Sequence, residues 1–141
     1  MAMTIPLMVT EGGIFIHTMV VGERGARMSS LDGVAMIDSG ADFGAIPQRD
    51  AEALGWKAVR TGNWSYLGSV KGDAHQRQEY LADVHIGIDG TWVPVKGLSF
   101  CGVPDIERAS MVLGRDFLRQ FVFTYDGPAQ TATLIYREPL N

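Results

Sequence analysis

The chain has 141 residues, 46% of them hydrophobic and 20% charged, with a formal net charge of −4. That length predicts one domain spanning residues 1–141, which would expose ~7,000 Å² folded against ~22,000 Å² unfolded and so bury a core without metal or disulfide staples. The acidic balance and the lack of any Lys/Arg run argue against a nucleic-acid partner, and no apolar stretch approaches the ~20 residues that span a membrane.

Cys101 is the only cysteine, so an internal disulfide and a cysteine-rich zinc site are both excluded. Met1 to Thr10 lacks a basic segment followed by a long apolar run, so no signal peptide is expected and the expected location is cytoplasmic. The 17 glycines and 6 prolines separate short apolar runs, the punctuation of an all-β chain.

In chain order, Ile14 to Val21 reads as a strand, followed by a turn at Gly22-Glu23-Arg24-Gly25 and a loop over Ala26 to Leu31. Gly33 to Ile37 is a short apolar run that stops at Asp38. Pro47 to Leu54 predicts a short helix with Pro47 in its first turn and Gly55 as its stop. Leu81 to Ile88 alternates, with Val84, Ile86 and Ile88 on one face. Asp89-Gly90 then predicts a two-residue hairpin into Thr91 to Val95. Asp116 to Phe121 predicts one or two helical turns. Asp126-Gly127-Pro128 predicts a hairpin between Phe121–Tyr125 and Thr131–Tyr136. Strands at short, even spacing with one or two short helices predict an all-β closed barrel.

The chemistry concentrates in Val34-Ala-Met-Ile-Asp38-Ser-Gly-Ala-Asp42. An apolar strand delivers a carboxylate onto a tight turn, where Gly40 lets the backbone pass close to a partner and Ser39 offers a hydroxyl to pin the turn. An aspartate that merely forms a turn would look the same locally. A second apolar strand, Met111-Val-Leu113, runs into Gly114-Arg115-Asp116, and between the two lies a glycine-bearing hairpin around Gly68-Ser69-Val70-Lys71-Gly72. His17, His75 and His85 show no metal-ligand spacing, and no metal or other cofactor is expected. His17 reads as a partly buried core or interface residue.

The order of the two motifs, with the hairpin between them, resembles the retropepsin-like aspartic proteases over about residues 14 to 123. The resemblance implies the closed β-barrel of the acid protease fold, with the active site on the twofold axis of a homodimer. Asp-Ser-Gly occurs once here, so two chains are needed for two carboxylates. It further implies that Asp38 is catalytic, that Ser39 locks the two loops across the axis, and that the Gly40 backbone faces substrate. Ala41, Asp42 and Val112 would contact substrate, as would Gly68, Ser69 and Val70 in a flap. Arg115 and Asp116 would support the loop or the dimer. An Arg115–Asp42 salt bridge, within or between subunits, is weighed against a plain helix-start ion pair.

The function so implied is an aspartic endopeptidase whose partners are polypeptide substrate and a second copy of the chain. The alternative is a catalytically silent dimeric module that binds peptides or scaffolds a larger assembly.

Overall fold

The computed structural model describes residues 3–22, 30–65 and 74–136, without the side chains of residues 30, 63–65 and 74–76. The chain runs β1 (Met3–Thr10), β2 (Gly13–Val21), β3 (Ser30–Ile37), β4 (Gly44–Pro47), α1 (Gln48–Ala53), β5 (Ala58–Ser65), β6 (Ala74–Ile88), β7 (Thr91–Val103), β8 (Met111–Leu113), α2 (Arg115–Leu118), β9 (Phe121–Asp126) and β10 (Thr131–Tyr136). The strand order is β5-β6-β7-β4-β8-β3-β2-β1-β10-β9, and a further β6–β2 pairing closes the six strands from β6 to β2 into a barrel. Outside that ring, β1 carries the β9–β10 hairpin on its other edge.

Register sorts side chains onto two faces, because paired residues point to the same side of a sheet. Ala35 pairs with Met111 and Ile37 with Leu113, and all four are buried in the main core with Ile46, Val84, Ile86 and Phe100. One residue out of phase, Met36 pairs with Val112, Val112 with Ala45, and Ala45 with Cys101. That second row packs on the opposite face as its own small cluster with Val103 and Ile106. The alternation over Val84, Ile86 and Ile88 is thus the inward face of β6. Trp56 lies 5.7 Å from Phe100 and 6.2 Å from Tyr80, filling the end of the barrel near α1. Phe100 is fully buried, so Phe100→Ala is expected to cost about 3–5 kcal/mol in a denaturant titration.

Several predicted boundaries shift. Helix α1 starts at Gln48, and Pro47 ends β4 and serves as the cap. Gly55 stops the helix as expected, at φ 75°, a left-handed conformation that glycine adopts without penalty. The second helix covers only Arg115–Leu118, because Phe121 is taken up by β9 in pairing with Tyr136. The Asp89-Gly90 turn forms with both residues at positive φ, 47° and 77°, the type I′ pattern of a tight hairpin. Strands β6 and β7 are much longer than their alternating segments, since a bulge between Ala82 and Val84 breaks the period. There the Asp83 carboxylate accepts the Gly97 N–H at 3.0 Å and so replaces a ladder bond. The β9–β10 loop runs on to Gln130, pinned by Asp126 accepting the Ala129 N–H.

Ser30 and Leu31 belong to β3 and not to a loop. The rest of the predicted 22–25 turn and 26–31 loop lies outside the described residues, Gly22 apart. His17 is exposed and not a core residue. Among the described residues, no helix is long and apolar enough to cross a membrane.

Candidate active site

Strands β3 and β8 are parallel, so both end on the same side of the barrel and hand their next residues to one place. The Asp38 N–H donates to the Leu113 carbonyl at 2.9 Å, which extends the pairing one residue past β3. The chain then turns: the Gly40 N–H donates to Asp38 Oδ1 at 2.9 Å, and the Ala41 N–H to the Asp38 carbonyl at 3.3 Å. A Cβ on Gly40 would lie 3.2 Å from the same carboxylate oxygen, so glycine lets the turn close over Asp38. Asp38 is half-buried, whereas Ser39 and Gly40 are exposed at the apex. The result is a carboxylate fixed by backbone on one oxygen and presented to an open face.

Arg115 holds that loop from behind. Its N–H donates to the Ala41 carbonyl at 2.8 Å, and its Nη1 donates to the Ser39 carbonyl at 3.3 Å. Its Nη2 pairs with Asp42 within the same chain. Side-chain exposures of 51% and 76% mean this ion pair adds only ~0–1 kcal/mol of stability. Its consequence is geometric: one planar guanidinium spans the loop from Ser39 to Asp42. Asp116 does something different from pairing with its neighbour. Its Oδ2 accepts the Ser99 N–H at 3.0 Å and its Oδ1 the Phe117 N–H at 2.8 Å, tying α2 to β7.

Ala41 and Val112 are 4% and 1% exposed. Both therefore lie beneath the loop in this chain, with Val112 in the second cluster beside Ala45 and Cys101. Burial pushes the Cys101 thiol up from 9.0 to about 11, with Glu79 raising it further and Arg77 opposing. A thiol raised by folding favours the folded state fully below its unfolded value, and that contribution fades as pH climbs from about 9 to about 11. Alkylation of Cys101 at neutral pH is accordingly expected only on unfolding, read by mass spectrometry across a denaturant series.

The β5–β6 ladder is antiparallel and continues to Ser65↔Ala74. Gly68, Ser69 and Val70, at the tip of that hairpin in sequence, lie outside the described residues. Near its base, Arg60 pairs with Glu79, which is 7% exposed and in register with Cys101. No local signal marks this pair, since its partners are distant in the chain and neither belongs to a motif. Among the described residues, no group of three or more His, Cys, Asp or Glu is placed to hold a metal ion.

No family model matches the chain, and no curated protein matches it. Among solved structures, it is similar to a retropepsin-like aspartic protease from Rickettsia conorii, at 22% identity and a TM-score of 0.63 over 96% of this chain and 92% of that one. The EIAV protease in complex with an inhibitor also matches, at 18% identity and a TM-score of 0.38 over 72% of this chain and 82% of that one. The first of these shows that the chain has the retropepsin-like fold.

Proposed function

We propose that this chain is an aspartic endopeptidase that works as a homodimer, each subunit contributing one Asp38. The observation that carries the proposal is the Asp38 loop itself. A carboxylate at the end of an apolar strand is held by the Gly40 N–H, with its other oxygen not tied by that bond, and the loop is clasped by Arg115. A binding groove gains nothing from a carboxylate so fixed. Hydrolysis does.

Two carboxylates brought to about 3 Å cannot both ionise readily and so share one proton. The ionised member takes a proton from a bound water while the protonated member hydrogen-bonds the scissile carbonyl. Water adds to that carbonyl, and the amine leaves once its nitrogen has been protonated. Ser39, exposed at the loop apex, is assigned to meet its counterpart across the twofold axis. The Gly40 backbone, with Asp42 beside it, faces an extended peptide. Gly68, Ser69 and Val70 are assigned to a flap closing over the substrate, with Ala41 and Val112 supporting the floor. Activity is greatest in mild acid, where the one-proton state of the pair is populated.

A monomer holds half of this machinery. Sedimentation across a concentration series, run in parallel with activity, is expected to show both rising together; hydrolysis by a strict monomer would overturn the two-Asp38 mechanism. Arg115→Ala is expected to lower kcat/KM about 10²-fold by letting the loop drift, while changing stability by no more than about 1 kcal/mol. Arg115→Lys, which cannot span Ser39 and Asp42 together, restores little of that loss.

A further inference from the structure

The face of β3 that ends in Asp38 does not stop at the loop. Val34, Met36 and Asp38 alternate onto one side, and all three are half-buried. Phe15 pairs with Met36 and shares that side. At the Val34 end a cavity of about 620 Å³ opens, lined by Met8, Thr10, Glu11, Gly12, Phe15, Val34 and Arg108. Its body is apolar and its rim carries one acid and one cation.

Arg108 is exposed, on a loop seated on β3 and close to the β1–β2 turn. Its backbone sits at φ 67°, a left-handed conformation that costs a non-glycine residue about 1–3 kcal/mol and persists only where the surroundings enforce it. Two residues on, the Ser110 N–H donates to the Val34 carbonyl at 2.8 Å, and Gly33 leaves no side chain between that serine and β3. The arginine side chain then lies against the β1–β2 turn, where a Cβ on Gly12 would come within 3.0 Å of its Nη1 and 3.3 Å of its Cδ. That turn is itself fixed by Thr10 Oγ1 accepting the Gly12 N–H at 3.1 Å. Yet among the described residues Arg108 makes no salt bridge, even to nearby Glu11. An exposed guanidinium lining the cavity, with no ion pair among the described residues, is suited to a carboxylate.

We propose that this cavity is a side-chain subsite of the peptide groove and that Arg108 makes it select acidic side chains. The apolar wall of Met8, Phe15 and Val34 takes the methylene stem, and Arg108 takes the carboxylate. The proposal rests on the peptidase reading for its route past Asp38, but its selectivity is testable by binding alone.

The probes are apolar peptides matched except for Glu, Gln or Lys at one position, swept along the peptide. Affinities are measured by calorimetry near neutral pH on the uncleaving Asp38→Asn protein, and cleavage rates on the wild type. At one position the Glu peptide is expected to bind about tenfold tighter than the Lys peptide, Arg108→Asn to level the two, and Arg108→Glu to reverse them. Asparagine tolerates the left-handed backbone, so that variant separates lost charge from lost folding. Equal binding of Glu and Lys peptides at every position, or a preference that survives Arg108→Glu, overturns the subsite. Wild-type cleavage with a charge profile unmoved by Arg108→Glu removes the subsite and leaves the peptidase. Charge-selective binding with no Asp38-dependent cleavage removes the peptidase and leaves an acidic-peptide groove.

Discussion

Replacing Asp38 by asparagine is expected to lower peptide hydrolysis by about 10³–10⁴-fold or more, with no change in folding. Asparagine keeps the size of aspartate and retains a carbonyl oxygen to accept the Gly40 N–H, so the turn survives. The Asp38 N–H bond to Leu113 involves backbone only and is indifferent to the change. On the proposed mechanism, what disappears is the shared proton. In a homodimer one substitution removes both carboxylates, leaving no base for the water and no acid for the carbonyl. The measurement is cleavage of an unbiased peptide library between about pH 4 and about pH 7, with a statine-type transition-state analogue as a parallel inhibitor. Wild type and variant giving the same cleavage pattern would sink the aspartic-peptidase proposal. Unaltered sedimentation of the variant is part of the expectation, since asparagine leaves the backbone bonds of the loop in place.

What the sequence disclosed depended on whether a signal was local. The inward face of β6 was readable at Val84, Ile86 and Ile88 because alternation is a property of consecutive residues. The Asp89-Gly90 turn was readable because both positions need positive φ, and that pair of residues tolerates it. The full reach of β7 was hidden by Pro94 and Gly97, residues that argue against a strand interior. Asp83 rescues the strand from the next one over, and nothing in either segment alone reveals that. The second helix was overdrawn for a similar reason: Phe121 suits a helix end, but its pairing with Tyr136 and its ring contact with Phe117, at 4.9 Å, draw it into a strand.

The Asp38 loop was legible as a strand running into a carboxylate and glycine. The supports beneath it were less so. Val112 sits in a three-residue strand buried throughout, where alternation cannot say which neighbours meet which face. The cavity beside Arg108 was invisible for a stronger reason. It exists because a turn at Gly12 and an irregular loop at Arg108, far apart in the chain, are brought together across β3. Neither has a periodic pattern or a motif. The parallel placement of β3 and β8, which sets the loop before β8 onto Val34, brings that charge to the cavity.

The same parallel placement makes Gly114 a position where the smallest substitution should disturb the Asp38 loop directly. A Cβ there would stand 2.6 Å from the Phe43 carbonyl oxygen, 2.7 Å from its carbon and 2.8 Å from the Ala41 carbonyl oxygen. All three are backbone atoms of the segment that follows Asp38, so no rotamer change relieves the overlap. Its φ of −104° is ordinary for alanine, which leaves steric displacement as the whole effect. Pushing the segment outward also stretches the Arg115 N–H bond to Ala41 and the Asp116 N–H bond to Asp42. Gly114→Ala is expected to cost about 1–3 kcal/mol in denaturant unfolding, as overpacking does. Hydrolysis should fall about 10²-fold, because a catalytic group displaced by about 1 Å loses its attack geometry. Gly87→Ala is the control: the atoms nearest its added Cβ belong to the Trp92 ring, the closest at 3.4 Å, an ordinary contact, and both readouts should stay near wild type. A Gly114→Ala protein as stable and as active as that control would mean the loop carrying Asp38 is not seated on β8, and the geometry argued for the site would fail with it.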